Sequence, residues 1–124
     1  RLHHVAIIAS DYPRSKHCYT EVLGLPVIAE VYREARDSWK LDLRLADGMQ
    51  IELFSFPAPP PRVSRPEACG LRHLALRVAD IEAAVRHLQQ HGVEVEAIRV
   101  DEYTGKRFTF FADSDGLPLE LYED

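Results

Sequence analysis

Two histidines and two glutamates stand at matching places in this chain. Leu2-His3-His4-Val5-Ala6-Ile7 returns as Leu71-Arg72-His73-Leu74-Ala75-Leu76. Ala46-Asp47-Gly48-Met49-Gln50-Ile51-Glu52-Leu53-Phe54 returns as Ser114-Asp115-Gly116-Leu117-Pro118-Leu119-Glu120-Leu121-Tyr122. Each half therefore opens on a histidine segment, with His4 or His73, and closes on a glutamate segment, with Glu52 or Glu120. A carboxylate between apolar neighbours is costly to bury alone. Two neutral imidazoles and two carboxylates offset that cost together by binding one divalent cation. With two waters they complete an octahedral nitrogen–oxygen site, which suits nickel, manganese, iron, cobalt or zinc better than a metal that prefers thiolates.

The elements that must position these groups repeat as well, the mark of a modular fold. Residues 2–9 alternate as a strand. Asp11 reads as a helix N-cap, with Pro13 tolerated in the first turn, and the helix runs to about Leu23 before Gly24 ends it. Strands are predicted over 26–33, 39–46 and 49–55, the last two joined by a tight Asp47-Gly48 turn. The second half follows suit. A strand at 71–78 leads to the N-cap Asp80, and Ile81, Ala84, Val85 and Leu88 mark one apolar helix face. Gly92 ends that helix, and strands follow over 93–100, 106–112 and 117–122, with Asp115-Gly116 as the matching turn. Each half is thus βαβββ, and the expected class is α+β. The expected organisation is one domain over 1–124, made of a first module at 1–55, a proline-rich linker at 56–70 and a second module at 71–124. The linker's proline density favours extended polyproline geometry.

Strand phase selects among the side chains, because successive residues face opposite ways. His4, Ala6 and Ile8 share one face and map onto His73, Ala75 and Arg77. His3, Val5 and Ile7 share the other, which the helix should cover. His4 is therefore the site candidate and His3 a bystander. Glu52 and Glu120 project away from the apolar pairs Ile51/Leu53 and Leu119/Leu121. Arg77 lies on the His73 face, and Arg77, Phe54 and Tyr122 are the substrate-binding candidates. Arg33, Arg36, Lys40, Lys106 and Arg107 are available to an anionic substrate but read first as surface charge. His17, His87 and His91 fall on or at the ends of helices and should face solvent. Asp113-Ser114-Asp115-Gly116 lacks the spacing of a calcium loop and reads as a turn.

A net charge of −5 argues against general nucleic-acid binding, and no apolar run approaches a membrane span. Cys18 and Cys69 form no CxxC and are not repeat partners. They read as reduced thiols, so the expected location is the cytoplasm. One helix and four strands per module are too little to bury both sheet faces. The modules must pair, and the stiff linker points to pairing across a homodimer.

The ordered set His4-Val5-Ala6-Ile7, Tyr19-Thr20-Glu21-Val22-Leu23-Gly24-Leu25, Gln50-Ile51-Glu52-Leu53, Arg72-His73-Leu74-Ala75-Leu76 and Asp113-Ser114-Asp115-Gly116-Leu117-Pro118-Leu119-Glu120-Leu121 resembles the vicinal oxygen chelate superfamily. That superfamily unites glyoxalase I, bleomycin resistance proteins and dioxygenases. The resemblance spans nearly the whole chain. It implies two βαβββ modules forming an open, eight-stranded concave barrel, and one metal ligand at each of His4, Glu52, His73 and Glu120. The ligand set is similar to that of bacterial glyoxalase I, which puts nickel and zinc first among the metals. The proline-rich linker and Tyr32-Arg33-Glu34-Ala35-Arg36-Asp37-Ser38-Trp39 depart from glyoxalase I. They look more like an uncharacterised bacterial glyoxalase-like branch.

The activity this resemblance implies is that of a metal-dependent lyase or isomerase of the lactoylglutathione lyase type. Two substrate oxygens would displace the waters, and the metal would stabilise an enediolate as a proton leaves carbon. Glu120 is the candidate base, with Glu52 able to act on the other face. Glutathione is the candidate co-substrate. The alternatives are an epimerase, an extradiol dioxygenase, which four protein ligands disfavour, or a non-catalytic small-molecule-binding or resistance protein, which an intact ligand set disfavours.

Overall fold

The computed structural model describes residues 1–124. The chain divides into two compact units, Arg1–Pro61 and Arg62–Asp124, and the division falls inside the proline-rich stretch. Both units carry the βαβββ order, and the class is α+β, as the sequence predicts.

In the first unit, β1 (His4–Ala9) leads into α1 (Tyr12–His17), then β2 (Val27–Arg33), β3 (Ser38–Arg44) and β4 (Gln50–Ser55). The sheet order is β1-β4-β3-β2. β1 runs parallel to β4, and the other pairings are antiparallel. Parallel pairing requires a crossover, which the helix and two strands supply. Ile7, Ala9, Leu41, Leu43, Ile51 and Leu53 fill the core beneath the helix. Each fully buried leucine there contributes about 1.5–3 kcal/mol relative to its exposed state. From the helical segment Ser15, Tyr19 and Val22 descend into this core, a four-and-three spacing that keeps them on one face.

The Asp11 cap forms as predicted, its carboxylate accepting from the Arg14 N–H at 3.1 Å. The helix is not α throughout, however. Residues Cys18–Val22 are a π-helical turn. The Thr20 hydroxyl donates to the Lys16 carbonyl at 2.6 Å, and the ladder steps outward to Leu23 N–H donating to Cys18 O. Gly24, at φ +70°, then ends the segment where a side chain would be strained.

In the second unit, β5 (Leu74–Val78), α2 (Ile81–Gln90), β6 (Arg99–Val100), β7 (Arg107–Ala112) and β8 (Pro118–Glu123) give the order β5-β8-β7-β6, with β5 parallel to β8. Asp80 caps α2 by accepting from the Ala83 N–H. Ile81 and Leu88 are fully buried, with Ala84 and Val85 half-buried beside them, as the periodicity requires. Two predictions need correction. The strand expected at 93–100 shrinks to Arg99–Val100. Upstream, Glu96 N–H donates to Phe110 O, but its carbonyl accepts from the Thr109 hydroxyl at 2.8 Å, so a side chain replaces one rung of the ladder. The strand expected from residue 71 begins at Leu74, which leaves His73 just ahead of it. Arg62 holds that approach, its Nη2 donating to the carbonyls of Leu71 and Arg72 at 2.8 Å each.

Asp113 makes the second turn, accepting from the N–H groups of Asp115 and Leu117. His17, His87 and His91 are exposed. No disulfide joins Cys18 and Cys69. No helix is long and apolar enough to cross a membrane.

Candidate functional site

Alternation along β1 buries Ile7 and Ala9 and leaves His4, Ala6 and Ile8 on the opposite, open face. In the parallel register His4 lies beside Gln50 and Ala6 beside Glu52. Glu52 projects from that open face while Ile51 and Leu53 hold its backbone in the core. The imidazole thus reaches across small Ala6, and His4 Nε2 stands 3.5 Å from Glu52 Oε2. The second unit repeats this. Ala75 lies beside Glu120, Leu119 and Leu121 anchor the strand, and His73 Nε2 stands 3.0 Å from Glu120 Oε2. The glutamates are 14% and 12% exposed against 41% and 30% for their histidines. Each carboxylate is sunk at the base of its pair, with the imidazole at the rim.

These pairs suit a divalent cation. Two donors bound at 2.0–2.2 Å and at right angles to one another lie about 3 Å apart, which the second pair matches at 3.0 Å and the first exceeds at 3.5 Å. Neutral imidazole and carboxylate oxygen are the donors a borderline cation takes. Within neither unit do three or more His, Cys, Asp or Glu side chains gather to hold a metal ion. Each unit holds one such His–Glu pair.

Strand phase does not predict the contact that His3 makes with His4. His3 Nδ1 lies 2.9 Å from His4 Nδ1. With His4 as the donor, its Nε2 lone pair is left to face Glu52. A hydrogen bond to the far nitrogen is what orients a ligating histidine. His73 is held otherwise. Its Nδ1 is buried without a partner, and the ring packs edge-on against Phe110 at 5.1 Å. Phase places His3 on the wrong face, and only the adjacency of the two rings in His3-His4 signals the interaction.

The surroundings of the two pairs differ in polarity. Beside Glu52 stands Asp42, and Lys40 Nζ lies 2.6 Å from Asp42 Oδ1 and 3.6 Å from Glu52 Oε1. The hydrogen bond to Asp42 holds Lys40 above the ordinary lysine range against the opposing pull of burial. Lys40 is therefore a fixed cation there. Beside Glu120 the corresponding neighbour is Phe110. Sequence reasoning missed Asp42, whose alternation with Leu41 and Leu43 was the available signal.

Of the substrate-binding candidates, Phe54 shares the Glu52 face and lies under the Arg33 guanidinium at 4.8 Å. Tyr122 is engaged, its hydroxyl donating to Asp101 Oδ2 at 3.0 Å and meeting Thr104. Arg77 reaches outward to Asp124 at 3.6 Å and is 77% exposed. Arg107 binds Glu82 and Glu123, and this pairing keeps it from an anionic ligand.

A family model described as the Glyoxalase/Bleomycin resistance protein/Dioxygenase superfamily matches residues 1–121. The chain belongs to this superfamily. Among superfamily relatives, YaeR of Escherichia coli (strain K12) is 67% identical over 123 residues, covering 99% of this chain and 95% of that one. The 2-epi-5-epi-valiolone epimerase of Actinomyces sp is 34% identical over 141 residues, covering 97% of this chain and 77% of that one. The crystal structure of the glyoxalase family protein from Enterococcus faecalis superposes with a TM-score of 0.93 at 49% identity, covering 99% of this chain and 97% of that one.

Proposed function

We propose that this protein is a divalent-metal-dependent lyase or isomerase of the glyoxalase I type, moving a proton at the carbon next to a carbonyl. The observation that carries the reading is the repeated pair: His4 Nε2 against Glu52 at 3.5 Å and His73 Nε2 against Glu120 at 3.0 Å. His4, Glu52, His73 and Glu120 would hold the cation, with nickel or zinc the preferred ions. When bound, it supplies Lewis-acid stabilisation of negative charge on substrate oxygens. His3 fixes the tautomer of His4. Glu120 takes the proton from carbon, and Glu52 returns it or serves the opposite face. Phe54 offers an apolar wall to the substrate body. The chain works in the cytoplasm as a homodimer, with a 2-oxoaldehyde and glutathione as the first substrates to try.

The epimerase relative favours a second reading within the same chemistry, in which the proton returns to the same carbon from the other face. One experiment addresses both. Protein dialysed against nickel or zinc is assayed on methylglyoxal with glutathione, and in parallel for exchange of α-protons into deuterium oxide on a panel of 2-hydroxy ketones. Product formation from the hemithioacetal supports the first reading. Exchange with retention of the carbon skeleton on the panel alone supports the second. Metal-replete protein that does neither, while binding these compounds, would end the enzymatic reading.

A further inference from the structure

We propose that Arg33 forms an anion-binding end to this site, and that the substrate carries a carboxylate about 7 Å from the oxygens that meet His4 and Glu52. The inference rests on the metal-site reading above and narrows its substrate class.

Arg33 closes β2 and pairs in register with Ser38. Paired residues in antiparallel strands share a face, as do residues two apart on a strand. Ser38, Lys40 and Asp42 therefore lie on one face, and their partners Phe54 and Glu52 lie there too. Arg33 is thus on the ligand face of the first sheet. Phe54 follows Glu52 by two residues, a step of about 7 Å along the strand, and the Arg33 guanidinium sits over its ring.

Three features set Arg33 apart from a solvated surface arginine. It is half-buried. Its guanidinium stacks 4.8 Å from the Phe54 ring centre and 5.7 Å from that of Phe56. Its only hydrogen bond is from Nη2 to the Ser38 hydroxyl at 2.8 Å, while its Nε is sealed from solvent with no partner. The chain has 20 acidic against 15 basic side chains, yet no carboxylate pairs with this one. The neighbouring Lys40 is committed to Asp42 and Glu52. A planar cation fixed on two rings, with the outer Nη1 donor uncommitted, is oriented in advance for a planar carboxylate.

The test is calorimetric titration of the zinc-loaded full chain with 2-oxoglutarate and with 2-oxopentanoate. Both present the same chelating head, and only the first has a second carboxylate at about the required reach. The wild-type protein should prefer 2-oxoglutarate by about 10–100-fold, the scale of one charge-assisted bidentate interaction. Arg33→Gln should abolish the preference while leaving 2-oxopentanoate affinity and zinc content unchanged. Arg33→Lys should restore part of it, since the charge returns without the fork. No preference in the wild type, or a preference intact in Arg33→Gln, would overturn the proposal. Failure of the metal reading would show separately, as a wild-type protein that takes up no zinc on dialysis. Glutarate and pentanoate are then compared on the metal-free protein, where the same preference and the same loss on Arg33→Gln are expected.

Discussion

Glu120→Gln separates the roles a carboxylate plays at this site. The substitution keeps shape and one oxygen donor and removes charge and basicity. Its structural cost follows from the geometry. Glu120 is 12% exposed, its neighbours Leu119 and Leu121 remain buried, and the substitution weakens the 3.0 Å approach of His73 Nε2. A hydrogen bond to a charged group contributes about 1.5–3 kcal/mol, and the 30% exposure of His73 and surviving amide oxygen bring the loss to about 1 kcal/mol. For a chain of this size that lowers Tm by about 4 °C. The kinetic cost is on another scale. Loss of a positioned general base lowers the rate about 10²–10⁴-fold, or about 3–5 kcal/mol in activation free energy. The assay pairs thermal denaturation of the metal-free variant with turnover at saturating metal, metal content being measured in the same sample. A drop of a few degrees with turnover nearly abolished is the expected result. Full turnover in a metal-replete variant would refute Glu120 as the base and move attention to Glu52. A collapse of Tm by tens of degrees would show that the carboxylate is chiefly structural.

Three further outcomes follow from the same geometry. His3→Ala should weaken metal binding about 10–100-fold in equilibrium dialysis by removing the 2.9 Å hydrogen bond that orients His4, and an unchanged affinity would return His3 to the status of a surface residue. Asp80→Ala removes the cap on α2 and should cost about 1 kcal/mol in urea denaturation, whereas Glu94→Ala, at an exposed loop position, should cost far less. The pairing of Lys40 with Asp42 raises the folded-state pKa of the lysine, so its stabilisation is fully present below the unfolded lysine value of about 10.4 and is lost as pH rises through the higher folded value. Asp42→Asn should therefore be less stable than wild type by a constant margin from neutral pH up to about pH 10 and converge on it above, and a margin that grows with alkalinity would contradict the pairing.

Local chemistry made much of this molecule readable in advance. Asp11 and Asp80 cap helices because an Asx side chain before an apolar period has few other uses, and Gly24 and Gly92 end them at positive φ. Strand phase put His4 with Glu52 and His73 with Glu120 because a side-chain period of two admits only two arrangements. What was not legible depends on how side chains meet one another. The π-helical turn coincides with a Thr20 hydroxyl bonded to the Lys16 carbonyl, a side-chain contact that spacing does not reveal. The shortened β6 follows from Thr109 doing likewise to Glu96. Arg33 and Lys40 look equivalent as a string of letters. One is paired with two carboxylates and the other rests on two aromatic rings, and register across three strands decides which.

The parallel pairing of first and last strands in each unit bears on the order of events during folding. His4 and Glu52 meet only when β1 has closed against β4, across the helix and two strands that separate them along the chain. Such non-local closure is among the slow steps of folding. A cation arriving before that closure would find no pair of donors to grip, so it would not template this chain as zinc templates a finger domain. A cation held as proposed would act on the completed module, slowing its opening rather than hastening its formation.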